Sequence, residues 1–423
     1  MIAPAASGPH LIAWNLTTRC NLSCPHCYVD AHRTGSHVGE LDTAACLGVV
    51  DQIMEATSSP MIVLTGGEPL LRIDVENIAE HATKRGATVV VGTNGTGLTP
   101  GRVASLKAAG VTGYALSVDS LNPSIHDSFR GLPGALDRTF AAVDALRAAE
   151  QGFVVQTTLS SDNFGELDAL AAWAEAVGAL VFNVFIEVST GRASSRVPLP
   201  AADVEAAGRR IVELERRYRG RLRVRSKCQP HLVRHVARSE PDSPLLARGA
   251  GCPAGLWYCR IDARGRVTPC PYLPLVAGDL ATTSFAAVWR DAPVFRALRE
   301  QPLGGTCGAC DLRQVCRGCR ARPFAAQGDL LGADDTCTHK PAAGADVLPA
   351  RPFALGAAPA PQLQWTPEAT ALLARIPGFV RGMVVGRIES WARTKGIATV
   401  DAAMLTELKG HMTGRRAVPD AAR

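Results

Sequence analysis

Three cysteines fall close together near the start of the chain, in Cys20-Asn21-Leu22-Ser23-Cys24-Pro25-His26-Cys27, directly after a β-rich run. The spacing C-x3-C-x2-C puts three thiols on one loop at the C-terminal end of a strand, the face on which βα barrels carry their sites. Three thiolates can hold three irons of a [4Fe–4S] cluster and leave the fourth iron open to a ligand that is not protein. With His26 or His32 as a fourth ligand, the same loop also suits a closed structural zinc site. Spacing alone leaves both open.

The flanking pattern supplies the barrel. From Leu11 to about Val188, β-rich runs alternate with stretches of helical period. Strands are expected at Leu11–Leu16, Met61–Leu64, Thr88–Val91, Gly113–Val118, Phe153–Leu159 and Leu180–Val188. Helices are expected at Asp42–Ala56, Asp74–Arg85, Gly101–Ala109, Leu136–Ala149, Glu166–Val177 and Ala201–Tyr218. Six βα repeats imply a parallel sheet with helices outside, curled by crossovers of one hand. Six units fall short of the eightfold barrel, so the expected fold is α/β, a partial (β/α)6 TIM-like barrel. It is expected over 1–220, followed by a cysteine-rich domain over 221–340, an Ala/Pro-rich linker over 341–363 and a small all-α C-terminal domain over 364–423. Thr366-Pro367-Glu368 offers a capping hydroxyl and a first-turn proline to open the last unit.

There are 13 cysteines in 423 residues. Met1–His10 lacks a basic start and an apolar stretch, so a reducing cytoplasm is expected, where clustered thiols are metal ligands rather than bridges. No apolar run is long enough for a membrane span. A net charge of +6, from 45 basic and 39 acidic residues, is too mild to indicate nucleic acid. Eight cysteines lie between Cys252 and Cys337, enough for two sets of four. Cys46 falls on an apolar helix face and is expected in the core, and Cys228, in a basic stretch, is expected to be a stray thiol, with an occasional ligand as the alternative.

Polar groups close successive strands: Thr65-Gly66-Gly67-Glu68-Pro69, then Gly92-Thr93-Asn94-Gly95, then Ser117-Val118-Asp119, with Arg130 soon after. Ligands to one central site come from such positions. Together with the cysteine loop, this set resembles the radical S-adenosylmethionine (SAM) superfamily over roughly Leu11 to Val188. The resemblance implies that Cys20, Cys24 and Cys27 bind a [4Fe–4S] cluster whose open iron chelates SAM. It implies that Gly66, Gly67 and Glu68 receive the SAM amino group, that Ser117 touches its nucleoside or methionine part, and that Arg130 pairs with its carboxylate. Asn94 joins this cofactor-binding set, and His26 stands where the family usually has an aromatic beside the adenine. Reductive cleavage of SAM to a 5′-deoxyadenosyl radical, with a flavodoxin or ferredoxin as electron donor, follows from the same likeness.

The later cysteines resemble the SPASM extension of that superfamily, which carries auxiliary clusters. By that likeness Cys252, Cys259, Cys270 and Cys319 hold one [4Fe–4S] cluster, and Cys307, Cys310, Cys316 and Cys337 another. The x2 between Cys316 and Cys319 departs from the usual x3, and two zinc knuckles are the alternative. Gly251-Cys252-Pro253-Ala254-Gly255, Pro269-Cys270-Pro271-Tyr272, Gly278-Asp279-Leu280, Val288-Trp289 and Gly318-Cys319-Arg320-Ala321-Arg322 resemble the branch that modifies haem side chains. Trp365-Thr366-Pro367-Glu368-Ala369, Ile376-Pro377-Gly378-Phe379-Val380-Arg381 and Glu389-x-Trp391-Ala392 resemble a small C-terminal domain found in light-independent protochlorophyllide reductase. Both likenesses imply a tetrapyrrole substrate. Arginines of Arg209–Arg225 suit propionates, and His231 and His235 suit a porphyrin iron, although a solvated helix face and surface histidines are the plainer alternatives. A precursor peptide is the second substrate class. A non-catalytic iron–sulfur carrier is the third, and it has no need of the Gly-Gly-Glu-Pro and Ser-Val-Asp set.

Overall fold

Side chains that alternate between a helix-covered face and an open inner face build the main sheet. The computed structural model describes residues 8–34, 38–246, 251–342, 344–350 and 363–374, and further along 385, 388–389, 391–393 and 395–405. The strands are β1 (Leu11–Asn15), β2 (Met61–Thr65), β3 (Thr88–Thr93), β4 (Gly113–Ser117), β5 (Phe153–Leu159), β6 (Val181–Ile186), β7 (Arg223–Lys227), β8 (Tyr258–Ile261), β9 (Arg266–Thr268) and β10 (Gly278–Asp279). They form one sheet in the order β10-β9-β8-β1-β2-β3-β4-β5-β6-β7. Every pair from β8 through β1 to β7 is parallel, and β9 and β10 are antiparallel additions. The helices between and after the first strands are α1 (Thr43–Ala56), α2 (Val75–Lys84), α3 (Pro100–Ala108), α4 (Pro123–Arg130), α5 (Ala135–Ala148), α6 (Leu167–Ala176) and α7 (Ala201–Tyr218).

The outward residues of each strand meet the helices. Ile12 and Trp14 of β1, Ile62 and Leu64 of β2, Val89 and Val91 of β3, and Phe182 and Val184 of β6 all enter one core cluster. Each such side chain contributes about 1.5–3 kcal/mol on burial. Several inward residues are small or polar: Ala13 and Asn15 on β1, Gly92 on β3, Ala115 and Ser117 on β4. Small and polar groups therefore line part of the inner wall near the strand ends.

Three expectations change. The sheet does not stop near residue 220, because β7 pairs with β6 and β8 pairs with β1. The cysteine-rich segment thus begins as a continuation of the barrel sheet. The C-terminal unit is not all-α: Gln364–Trp365 pairs in parallel with Thr399–Val400 beside the helix Pro367–Ala374. The run Ile376–Arg381 lies outside the described residues. α4 adds a helix that the pattern does not announce, since its eight residues are too short to show a helical period.

Candidate active site between two cysteine sets

The loop after β1 brings its three thiols together. Cys20, Cys24 and Cys27 are free thiols within one small apolar cluster with Leu22 and Ala31. Burial pushes the Cys20 thiol up to about 12, and Glu68 and the other two cysteines act in the same direction. N–H groups already point at the sulfurs: Leu22 N at 3.4 Å from Cys20 Sγ, Ala31 N at 3.4 Å from Cys27 Sγ, and Arg130 Nη1 at 3.7 Å from Cys24 Sγ. Converging thiols with N–H donors suit an iron–sulfur cluster, whose irons supply positive charge to thiolates that burial otherwise disfavours.

Neighbouring strand ends hold this loop in place. Gly67 N donates to Thr17 O at 2.7 Å and Glu68 N to Arg19 O at 2.9 Å, joining the β2 turn to the cysteine loop. A Cβ on Gly67 would stand 2.1 Å from Arg19 O, and one on Gly66, at φ +149°, 2.5 Å from Thr17 O. Only glycine permits this approach. The Glu68 carboxylate accepts from Thr93 Oγ1 at 2.7 Å, Asn94 N at 2.9 Å and Leu70 N at 3.1 Å. Burial, the dominant cause, raises its pKa to about 6. Asn94 reaches across to Asn21 Oδ1 at 2.9 Å and lies 4.0 Å from Cys20 Sγ. Both side chains therefore tie β2 and β3 to the loop.

Arg130 ends α4 and forms a 2.5 Å ion pair with Asp119, while its Nε is buried without a hydrogen-bond partner. The carboxylate expected from a cofactor thus has a protein counterpart in Asp119. His26 stacks on Phe129 at 4.3 Å with the rings 9° apart, and its Nδ1 is buried without a partner. Burial and the arginines around it keep this imidazole neutral. Ser117 ends β4 half-buried on the inner face.

Two features escape the sequence. Arg192 braces the cysteine loop from beyond β6, its Nε on Cys24 O at 2.9 Å and its Nη1 on Ala31 O at 2.7 Å. Gly191, at φ +64°, lets the chains meet, since a Cβ there would stand 2.5 Å from Cys27 O. The second feature is Cys228. Cys259 sits on the outward side of β8 with Ile261, fully buried in the main core, and the charged group acting on it is Arg299. The thiol that joins Cys252, Cys270 and Cys319 is Cys228, just past β7. The expected set Cys252, Cys259, Cys270 and Cys319 is therefore corrected: strand alternation turns Cys259 away, and the β7 end brings Cys228 in. Cys228 takes a left-handed φ of +58°, which costs a non-glycine residue about 1–2 kcal/mol. Cys46, 1% exposed, is in the core as expected.

The other four later cysteines also converge. Cys307, Cys310, Cys316 and Cys337 line one small cavity with His231 and His339. Asp334 N, Leu312 N and Gly318 N approach Cys307, Cys310 and Cys316 at 3.3–3.4 Å, and Arg234 Nη1 approaches Cys337 at 3.8 Å. Successive left-handed residues, Arg317 at φ +66° and Gly318 at φ +60°, turn the chain so that Cys316 faces this set and Cys319 the other. That turn gives the short x2 spacing its geometry. The arginines in and just after α7 are paired outward: Arg209 with Glu205, Arg210 with Asp168, Arg216 with Glu240 and Arg219 with Glu215. His231 is buried 3.7 Å from Asp334, and His235 lies 3.3 Å from Glu205. α7 is thus a solvated, ion-paired face, and the two histidines do not share an open site.

Known proteins resemble this chain in sequence and in fold. The family pattern described as the radical SAM superfamily matches residues 14–174, and the iron–sulfur cluster-binding SPASM domain matches 252–320. An AdoMet-dependent heme synthase of Methanosarcina barkeri is 38% identical over 345 residues, which cover 79% of this chain and 98% of that protein. The chain belongs to the radical SAM superfamily. It is an enzyme of that superfamily with a SPASM domain, and its cofactors are SAM and iron–sulfur clusters. The mycofactocin maturase MftC of Mycobacterium ulcerans is 30% identical over 352 residues, covering 78% of this chain and 88% of that protein. A crystal structure of Streptococcus suis SuiB bound to S-adenosylmethionine shares the fold with a TM-score of 0.64 at 17% identity, over 79% of this chain and 78% of that one. The pattern of the protochlorophyllide reductase 57 kD subunit gives a short, minor match over 365–409. Among the described residues no helix is long and apolar enough to cross a membrane.

Proposed function

We propose that this radical SAM enzyme modifies a side chain of a haem-like tetrapyrrole by hydrogen abstraction. In this proposal Cys20, Cys24 and Cys27 hold the SAM-binding cluster, and the two later sets hold auxiliary clusters. The observation that carries the substrate is likeness along almost the whole length of a relative named as a heme synthase. When bound, the cluster and SAM supply an electron and a 5′-deoxyadenosyl radical that takes hydrogen from the substrate.

The chain's own residues do the rest. Arg192 and the Gly66-Gly67 turn fix the cysteine loop from two sides. His26, packed on Phe129, offers a flat neutral ring beside the site for an adenine to stack against. Asp119 orients Arg130, whose N–H groups bear on Cys24 and on any carboxylate entering beside it. The backbone N–H and C=O groups left at the β2 turn are the candidates for the amino acid part of SAM.

The test is anaerobic reconstitution, then SAM and dithionite with a panel of tetrapyrroles, read by mass spectrometry. The expected result is 5′-deoxyadenosine plus a mass change in one tetrapyrrole. A turnover that acts only on a peptide, with no tetrapyrrole altered, overturns the substrate.

A further inference from the structure

Between the first cysteine loop and the Cys228 set lies a polar and aromatic wall that the steps above leave unused. Tyr28 follows Cys27, and Tyr272 follows Cys270 by two residues; their rings meet at 5.2 Å, tilted by 59°. Tyr258 opens β8 close enough to both rings for their charges to act on one another. Three of the chain's 5 tyrosines thus stand at this junction. Arg260, two residues further along β8, points inward because Cys259 and Ile261 take the outward positions.

Arg260 is held at one edge only. Its Nε donates to Asn15 Oδ1, the Asn15 amide donates to Tyr28 Oη at 2.9 Å, and the guanidinium lies 6.0 Å from the centre of the Tyr28 ring. Asn15 is fully buried at the end of β1, so this edge is rigid. Among the described residues the two terminal nitrogens of Arg260 have no hydrogen-bond or ion-pair partner. The arginines in and just after α7, by contrast, have carboxylates. A half-buried guanidinium with a fixed plane and two free N–H edges is built to take a carboxylate in a bidentate pair. Its neighbours suit the same guest, because tyrosine faces stack on flat conjugated rings.

We propose that Arg260 is the anchor for a carboxylate of the substrate, with Asn15 as its positioning residue and Tyr28, Tyr258 and Tyr272 as the wall against which the substrate ring lies. This rests on the tetrapyrrole reading and adds to it the residue that selects the acid side chain. The anchor stands one strand from β1, whose loop carries Cys20, Cys24 and Cys27. A carboxylate held there lies beside the strand that leads into the cysteine loop, with Tyr28 of that loop as its neighbour.

The test compares wild type with Arg260→Gln and Arg260→Lys, each reconstituted, for binding of a tetrapyrrole with free propionates and of its methyl ester, read by the Soret band. Iron content should match wild type in both variants, which shows that their clusters are intact. The expected result is binding of the free acid weakened about 10- to 100-fold by Arg260→Gln, part-restored by Arg260→Lys, with the ester equally weak on all three proteins. If Arg260→Gln binds the free acid as tightly as wild type, the anchor is wrong and the tetrapyrrole reading stands. If wild type binds neither acid nor ester, both fall together.

Discussion

Cys228 and Cys259 show how much a single residue discloses in sequence and how much only in the fold. Counting cysteines finds the right number of thiols for two sets, but the count cannot see which way a strand side chain points. Cys259 stands between Tyr258 and Arg260, and in a strand with one face in the core that placement turns its thiol outward. Cys228 stays hidden because its three companions are distant in sequence and nothing local marks it. Cys20, Cys24 and Cys27, being local, come together on the loop that their spacing marks. The expected consequence is sharp. Cys228→Ala should leave one auxiliary cluster on three thiolates with an open iron, so that it loses about one to four irons per chain and changes its paramagnetic signal, while the first cluster remains. Cys259→Ala should keep all the iron and lose about 1–2 kcal/mol from the small cavity it leaves. Iron analysis with electron paramagnetic resonance, beside urea melts, reads both effects; iron loss from Cys259→Ala with none from Cys228→Ala would reverse the assignment.

At the scale of elements, the long βα units are legible because periods of two and 3.6 need length to declare themselves. α4 and the short strands β8 to β10 are not, although α4 carries Arg130 to the site. Within α4, His126 ties the helix to β4: its Nδ1 accepts from Asp119 N at 3.2 Å, which requires that nitrogen to be unprotonated. Burial, and after it the charge of Arg130, lowers its pKa from 6.5 to about 3. The unfolded chain therefore binds a proton below pH 6.5 that the folded chain refuses until about pH 3. Stability from this group is complete above 6.5 and drains away as the pH falls through that window, by about 2 kcal/mol between pH 7 and 5. His126→Gln should remove that part of the acid sensitivity. Urea midpoints at the two pH values measure it, and an equal acid loss in variant and wild type would show that His126 stays charged in the fold.

For the whole molecule, the sheet decides how the parts behave together. The sequence pattern divides the chain near residue 220, where helical period ends and cysteines begin. The structure carries the sheet across that line, because β1 needs a neighbour on its free side and β8 supplies it over Leu11–Trp14. The helix Phe285–Asp291 then packs beside α1, and Phe285, Trp289 and Phe295 enter the same core cluster as Ile12 and Val50. Those three rings alone represent several kcal/mol of burial, at about 1.5–3 kcal/mol each, shared between the two segments. Neither segment keeps a complete core without the other. Cutting the chain after residue 220 should therefore leave an exposed β1 edge and an unstable barrel, and the intact protein should melt in a single transition through residue 340. Calorimetry beside the visible absorption of the clusters follows both segments at once. Two well-separated transitions, one for barrel and one for cluster domain, would mean that the shared sheet does not couple them.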